Sequence, residues 1–258
     1  MSIIKQIKNA IVTGAGRNSG IGAEICRAFA RNGINVYFTS NERYDNTVGI
    51  FAQDNYEKTL NECLSAGTKA FFRCFDLINY VEIKELFKDA IEKLGEIDIL
   101  VNCACFHVFD KLETLDENSL DASLNVNAKV TLLLCKEFYM QSAGGGSIIC
   151  LSSTQDLEAL TQEVSYAVSK ATVSTIVSTL APTMAKKKIC INAVNPGATE
   201  IGDKTEKNMD AYLKDNAFGR LGLPPDAANL ICFLISDQGK WITGQTINSE
   251  GGLFRGVR

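Results

Sequence analysis

A chain of 258 residues, 46 % of them hydrophobic, can bury one substantial core, and α/β chains of this length are commonly a single domain. The formal net charge of -4 and pI near 5.2 leave no basic footprint for nucleic acid, since Lys and Arg are scattered apart from Lys186-Lys187-Lys188. No apolar run reaches the ~18 residues of a bilayer span. Met1 to Lys8 is too short and too charged for a signal peptide, so a soluble cytoplasmic protein with no membrane partner is expected.

Nine cysteines, an odd number, run from Cys26 to Cys232, several inside apolar runs such as Leu132 to Cys135 and Ile148 to Leu151. That fits free thiols serving as small core residues in a reducing compartment. Cys103-Ala-Cys105 has no second close cysteine pair, and His107 is the one histidine, so no metal site is expected.

In chain order, Lys8 to Thr13 is a short apolar run ending at Gly14, and Ile25, Ala28 and Phe29 beyond Gly22 show helical spacing. Strand, glycine loop, helix is the opening of a nucleotide fold. Ile34 to Thr39 reads as a second strand, followed by a polar loop from Ser40 to Asp54 that is long for such a connection. Tyr56 to Ala66 reads as a helix stopped by Gly67, Lys69 to Phe75 as strand three, Val81 to Leu94 as a helix stopped by Gly95, and Ile97 to Asn102 as strand four. A long helical region is expected from about Ser119 to Met140, then strand five from Ser147 to Ser152. A helix follows through Tyr166 and Lys170 towards Lys186, with a kink expected near Pro182. Ile189 to Val194 is strand six, Asp226 to Ile235 a helix and Gln245 to Asn248 a last strand. Regular alternation predicts an α/β Rossmann fold: a doubly wound, mostly parallel seven-stranded sheet with helices on both faces.

Two stretches carry chemistry. Thr13-Gly-Ala-Gly-Arg-Asn-Ser-Gly-Ile-Gly22 places four glycines at a strand-to-helix turn, where backbone can approach a pyrophosphate and the helix N-terminus supplies donors. Gly14, Gly16, Arg17, Ser19, Gly20, Ile21 and Gly22 are therefore candidate cofactor residues. After strand two, where an acid would bind the ribose 2′-hydroxyl of NAD, the chain reads Thr39-Ser40-Asn41. The missing acid, with Arg17 and Arg43 within reach, favours NADP(H) over NAD(H), with Ser40 and Asn41 as candidate contacts. Tyr166 and Lys170 are four apart, on one face of a helix. An ammonium there is expected to lower the phenol's pKa from about 10, so that Tyr166 can give a proton to a carbonyl oxygen or take one from an alcohol.

The glycine loop, Asn102-Cys103-Ala104, Asn127, Ser153 and Tyr166-x-x-x-Lys170, together with Asn195-Pro-Gly197 and Trp241 to Gly252, resemble the short-chain dehydrogenase/reductase family, in the branch of the 3-oxoacyl-(acyl carrier protein) reductases. The resemblance covers nearly the whole chain. It implies a catalytic set of Asn127, Ser153, Tyr166 and Lys170: Tyr166 the general acid, Lys170 tuning it and holding the nicotinamide ribose, Ser153 bonding the substrate oxygen and Asn127 ordering a relay water. The family's thirteen-residue spacing to the tyrosine selects Ser153 over Ser152, and Asn127 is preferred to Asn125. Asp76 and Leu77 are implied at the adenine, Asn102 and Ala104 beside the cofactor, and Pro196 and Gly197 under the nicotinamide, with Thr199 in place of the usual carboxamide threonine. His107 and Ser153 are candidate substrate contacts, and 199–221 is the implied substrate lid. The glycine loop is two residues longer than the common pattern. Cys103 and Cys105 stand where Asn and Gly are usual and are expected as buried thiols.

The function these implications describe is an NAD(P)(H)-dependent oxidoreductase that moves hydride between nicotinamide and a carbonyl or secondary alcohol, in particular an NADPH-linked ketone reductase of the 3-oxoacyl type. The small-molecule substrate could be carrier-linked. The alternatives are an NAD-linked alcohol or sugar dehydrogenase and, from another class, a catalytically silent cofactor-binding sensor or scaffold. A homotetramer or homodimer is implied by the resemblance alone.

Overall fold

The computed structural model describes residues 8–41, 43, 44, 55–157, 159–202 and 216–253. The polar loop and the lid segment noted above fall largely outside them. The elements are β1 (Asn9–Val12), α1 (Ile21–Arg31), β2 (Asn35–Ser40), α2 (Glu57–Ser65), β3 (Ala70–Cys74), α3 (Tyr80–Leu94), β4 (Ile99–Asn102) and α4 (Glu117–Ser123). There follow a π-helical stretch (Leu124–Val130), α5 (Thr131–Gln141), β5 (Gly146–Leu151), α6 (Val164–Ala185), β6 (Ile189–Asn195), α7 (Pro224–Leu234) and β7 (Thr246–Asn248).

All six strand pairings are parallel, in the order β3-β2-β1-β4-β5-β6-β7. Parallel neighbours need crossovers, and the helices that make them cover both faces. Leu86 of α3, Phe138 of α5 and Val177 of α6 pack on one face against Ile11, Leu100 and Ile148. Phe29 of α1, Cys63 of α2 and Ile231 of α7 pack on the other against Val12, Phe38 and Val101. The four residues of β1 and of β4 are all buried, as continuous apolar strands between two helical layers must be. The seven-stranded, doubly wound Rossmann sheet expected from the sequence is therefore the observed fold.

The strand order reverses between β1 and β4, which opens a crevice at their carboxyl ends. Local chemistry fixes the elements that frame it. The Asn79 side chain caps α3 by accepting from the Val81 N–H at 3.1 Å, and Asp116 caps α4 by accepting from the Ser119 N–H at 3.1 Å, each worth about 1 kcal/mol.

The long helical region expected from about Ser119 to Met140 is present, and it is built of three pieces, with the π stretch Leu124–Val130 between α4 and α5. A π turn holds an extra residue, which rotates the side chains beyond it, and such bulges gather at functional sites. Asn127 lies inside it. The helix bearing Tyr166 and Lys170 is continuous from Val164 to Ala185 with Pro182 within it. Among the described residues, no helix is long and apolar enough to cross a membrane.

Candidate active site

Gly14 follows β1 with φ of +68°, and a Cβ there would lie 2.4 Å from the Ala104 Cα, so this turn is closed to any side chain. The Thr13 hydroxyl accepts from the Cys103 and Ala104 N–H groups, both at 3.2 Å, which ties the ends of β1 and β4 together. A Cβ on Gly22 would lie 2.7 Å from the Gly14 carbonyl oxygen, so the first turn of α1 packs directly under the loop. Gly20 is the N-cap of α1 and supplies no side-chain cap, leaving the amide end of the helix facing the loop. A bare backbone cradle at a helix N-terminus is the donor set that a dinucleotide pyrophosphate requires, so the residues present fit that group.

Around the cradle the remaining cofactor candidates have structural partners of their own. Arg17 Nη1 and Ser19 Oγ both donate to the Ile201 carbonyl, at 3.2 and 2.9 Å. Gly16 and Ser40 are buried, Ile21 opens α1, and the Asn41 side chain accepts from the Tyr44 N–H at 3.1 Å. Asp76 is exposed, and its carboxylate accepts from the Ile78 N–H at 3.3 Å in the turn that leads into α3, with Leu77 buried beside it. Asn102 donates to the thiols of Cys135 and Cys150 at 3.5 and 3.4 Å, and its side-chain oxygen is buried without a hydrogen-bond partner. Beyond Pro196, a Cβ on Gly197 would lie 2.7 Å from the Glu250 Cβ. The Thr199 hydroxyl is spent inside that turn, in bonds of 3.2 Å to the Pro196 and Gly197 carbonyls.

The residues expected to handle the proton converge at the ends of β4 and β5. Ser153, just past β5, hydrogen-bonds to the Tyr166 phenol, while neighbouring Ser152 is buried with its hydroxyl unpartnered. Lys170 is 4 % exposed; its Nζ donates to the Leu151 carbonyl at 2.7 Å and lies 5.8 Å from the Tyr166 ring centroid. Asn127, 1 % exposed, accepts from the Phe106 N–H and donates to the Phe106 carbonyl and the Ser169 hydroxyl, each at 2.8 Å. Ser169 in turn donates to the Tyr166 carbonyl at 2.8 Å. The π stretch thus delivers an amide that ties the chain after β4 to α6. Asn125 is only partly buried.

Two expectations are corrected. Desolvation of the Tyr166 hydroxyl holds its pKa above the ordinary value, with smaller contributions from Cys105, Glu163 and Cys103 in the same direction, and the Ser153 hydrogen bond works against them. The lowering expected from Lys170 is not what decides the shift; desolvation is. In this environment Tyr166 keeps its proton at neutral pH and is a weaker acid than a free phenol. Cys105 is exposed rather than buried, because β4 ends at Asn102 and the chain there leaves the sheet. Cys103 is partly buried, and burial pushes its thiol up to about 12.

His107 belongs to this site. Its ring stands edge-on to Tyr166 and to Phe109, with centroids 4.7 Å apart in each pair, and its Nε2 is 3.3 Å from a Glu163 carboxylate oxygen. Four further residues were not singled out from the sequence: Thr13, Glu163, Ser169 and Asp110. Each acts on a segment remote in the chain or through a turn, so only Thr13 carried any signal, as the residue that opens the glycine motif.

A dinucleotide cradle at the switch point, with a serine, a tyrosine and a lysine gathered beside it, defines a nicotinamide-dependent oxidoreductase. The profile of the family described as enoyl-(acyl carrier protein) reductase matches residues 14–254. An uncharacterized oxidoreductase of Bacillus subtilis, YjdA, is 36 % identical over 255 residues, covering 97 % of this chain and 98 % of its own. The 3-oxoacyl-[acyl-carrier-protein] reductase FabG of Thermotoga maritima is 32 % identical over 253 residues, covering 95 % and 97 %. The crystal structure of the angucycline C-6 ketoreductase LanV with bound NADP superposes with a TM-score of 0.85 at 27 % identity, covering 96 % of both chains. The chain belongs to the short-chain dehydrogenase/reductase family and is an oxidoreductase of that family.

Proposed function

We propose that the protein is an NADP(H)-dependent reductase of ketones, of the 3-oxoacyl or a related type, acting as a cytoplasmic homo-oligomer. The observation that carries the reading is the Ser153–Tyr166–Lys170 group, gathered beside a glycine cradle that fits a dinucleotide. A bound nicotinamide supplies the hydride. The protein supplies the proton and the orientation: Tyr166, protonated at neutral pH, gives its hydroxyl proton to the carbonyl oxygen as the carbon is reduced, and Ser153 donates a hydrogen bond to that oxygen. The buried Lys170 ammonium favours the phenolate left behind and is placed to hold the nicotinamide ribose. Asn127 holds the loop that closes this end of the site and is assigned the ordering of a relay water that returns the proton.

Gly14, Gly16, Arg17, Ser19, Gly20, Ile21, Gly22, Ser40 and Asn41 are assigned to the phosphates and ribose, Asp76 and Leu77 to the adenine, and Asn102, Ala104, Pro196, Gly197 and Thr199 to the nicotinamide side. For NADP(H), the support is the absence of an acid at the end of β2, Arg17 at the loop, and the LanV structure with bound NADP. His107, edge-on to Tyr166, is assigned to the substrate, with 199–221 as its lid. FabG and LanV carry ketone-reducing names, and this supports reduction as the direction.

The test is Tyr166→Phe. It is expected to lower kcat by ~10²–10⁴-fold on any ketone the wild type reduces, the range for a lost general acid, while NADPH titrates as in the wild type. Turnover within a few-fold of wild type would refute the assignment.

A further inference from the structure

Asp110 lies eight residues beyond the end of β4, in the segment that passes over the start of α6, and it is 5 % exposed. Glu163, the N-cap of α6, makes no side-chain cap, so the first turn must find its partners elsewhere. Asp110 provides them. Its carboxylate accepts the Ser165 N–H at 3.1 and 3.3 Å on its two oxygens and also accepts the Ser165 hydroxyl, while its backbone carbonyl accepts the Val164 N–H at 3.2 Å. A parallel bridge pairs Asp110 with Glu163. The next residue along the helix is Tyr166.

We infer that Asp110 is the positioning residue that sets the Tyr166 hydroxyl at its working distance from the substrate oxygen. A buried aspartate that takes the Ser165 N–H and hydroxyl on its carboxylate and the Val164 N–H on its backbone carbonyl fixes both the start of α6 and the rotation of its first turn. Tyr166 sits in that turn, so its phenol inherits the placement. Its neighbours show why the start of the helix needs an external anchor: on the other side, Asn127 and Ser169 hold the Tyr166 carbonyl end, so Asp110 is the matching constraint at the amide end. Charge also suits the place, since a carboxylate at a helix N-terminus meets the positive end of the peptide dipoles. The two residues that complete the local surface, His107 and Glu163, pair with each other and leave the Asp110 carboxylate to Ser165.

The kinetic part of this inference rests on the ketone-reductase reading; the structural part does not. Asp110→Ala, Asp110→Asn, Ser165→Ala and the double variant Asp110→Ala/Ser165→Ala are compared by kcat, KM, NADPH affinity and amide hydrogen exchange of residues 164–167. Asp110→Ala is expected to lower kcat about 100-fold, the scale of an ångström-level misplacement, while KM and NADPH affinity move less than about 3-fold. Exchange should quicken in 164–167 and stay unchanged in α3. Asp110→Asn keeps one oxygen for the Ser165 N–H and should recover part of the loss. The double variant should be no slower than Asp110→Ala, because both changes remove the same contact. Should Asp110→Ala fail to fold, Asp110→Asn and Ser165→Ala decide, each with kcat reduced at an unaltered melting temperature. Unchanged exchange at 164–167, or kcat per folded molecule within twofold of wild type across the folded variants, would overturn the inference. If the wild type reduced no ketone, the reductase reading would fall, and the exchange data would still decide whether Asp110 clamps the helix.

Discussion

At the Tyr166 end of the cleft, Lys170, Asn127 and Ser169 are held by backbone carbonyls and buried neighbours, whereas at the phosphate end Arg17 and Ser19 both lean on one loop carbonyl, that of Ile201. The first set of contacts lies among buried groups of the chain itself. The second is replaceable, because a guanidinium bonds an anionic phosphate more strongly than a neutral carbonyl. On the proposed reading, the proton-transfer group is organised by the fold itself, and the cofactor end combines a backbone cradle with side chains bonded to a neutral carbonyl. The distinction is one of energy as well as of place: an amide held at both ends tolerates little displacement, while the Arg17 bond to the Ile201 carbonyl is a hydrogen bond to a neutral acceptor.

The rigid part of the phosphate end is the place to break this contrast with the largest effect. Gly14→Val puts a branched side chain where even a Cβ would lie 2.4 Å from backbone, at a φ of +68°. The left-handed conformation alone costs roughly 1–2 kcal/mol and the clash adds to it. Expected are a lower melting temperature and an NADPH affinity reduced at least ~10-fold, read by calorimetric titration; wild-type melting and binding would mean that the cradle is not the rigid element.

The same contrast explains what was legible in the chain. The strands, the glycine loop and the Tyr166 and Lys170 pair announce themselves because apolar runs, a string of glycines and an i, i+4 spacing are local patterns. Ser153 was separated from Ser152 by family spacing and Asn127 from Asn125 by its place before the helical run; in the structure Ser153 hydrogen-bonds to the Tyr166 phenol and Asn127 to Ser169. Hidden were properties that depend on what arrives from elsewhere. No residue in Leu124–Val130 marks a π turn, because the extra residue is a matter of backbone register. Asp110 looks like any loop aspartate until α6 is laid beside it. The direction of the Tyr166 shift was misjudged because a lysine one turn away is visible in sequence, and desolvation by the surrounding chain is not. Cys105 was expected as a buried thiol, and the end of β4 had to be placed before its exposure could be seen.

An intermediate effect should come from Arg17→Ala, which tests the exchangeable half of the comparison. A hydrogen bond to a charged group is worth about 1.5–3 kcal/mol, so kcat/KM with NADPH is expected to fall by ~10–100-fold. The value with NADH should move less than about twofold, because the 2′-phosphate is the group that the two cofactors do not share. Equal losses with both would show that Arg17 serves the pyrophosphate or the fold instead, and would withdraw one of the supports for NADP(H).

The smallest expected effect concerns the scaffold that both ends share. Burial pushes the Cys63 thiol in α2 up to about 11, whereas an unfolded thiol titrates near 8.5. Below about 8.5 both states keep the proton and Cys63 adds no pH dependence. From there up to about 11 only the unfolded chain loses it, so rising pH favours unfolding, and the stabilisation present at neutral pH is lost as the folded thiol's own range is passed. Cys26, raised by its own burial and by the neighbouring Cys63, acts in the same direction. Denaturant melts between pH 8 and pH 11 should therefore show falling stability, with a shallower slope in Cys63→Ala than in the wild type. Because Cys63 lies on the face opposite Tyr166, kcat at neutral pH should be unchanged in that variant, and a loss there would mean that the proton site depends on the far layer of the sheet as well as on its own.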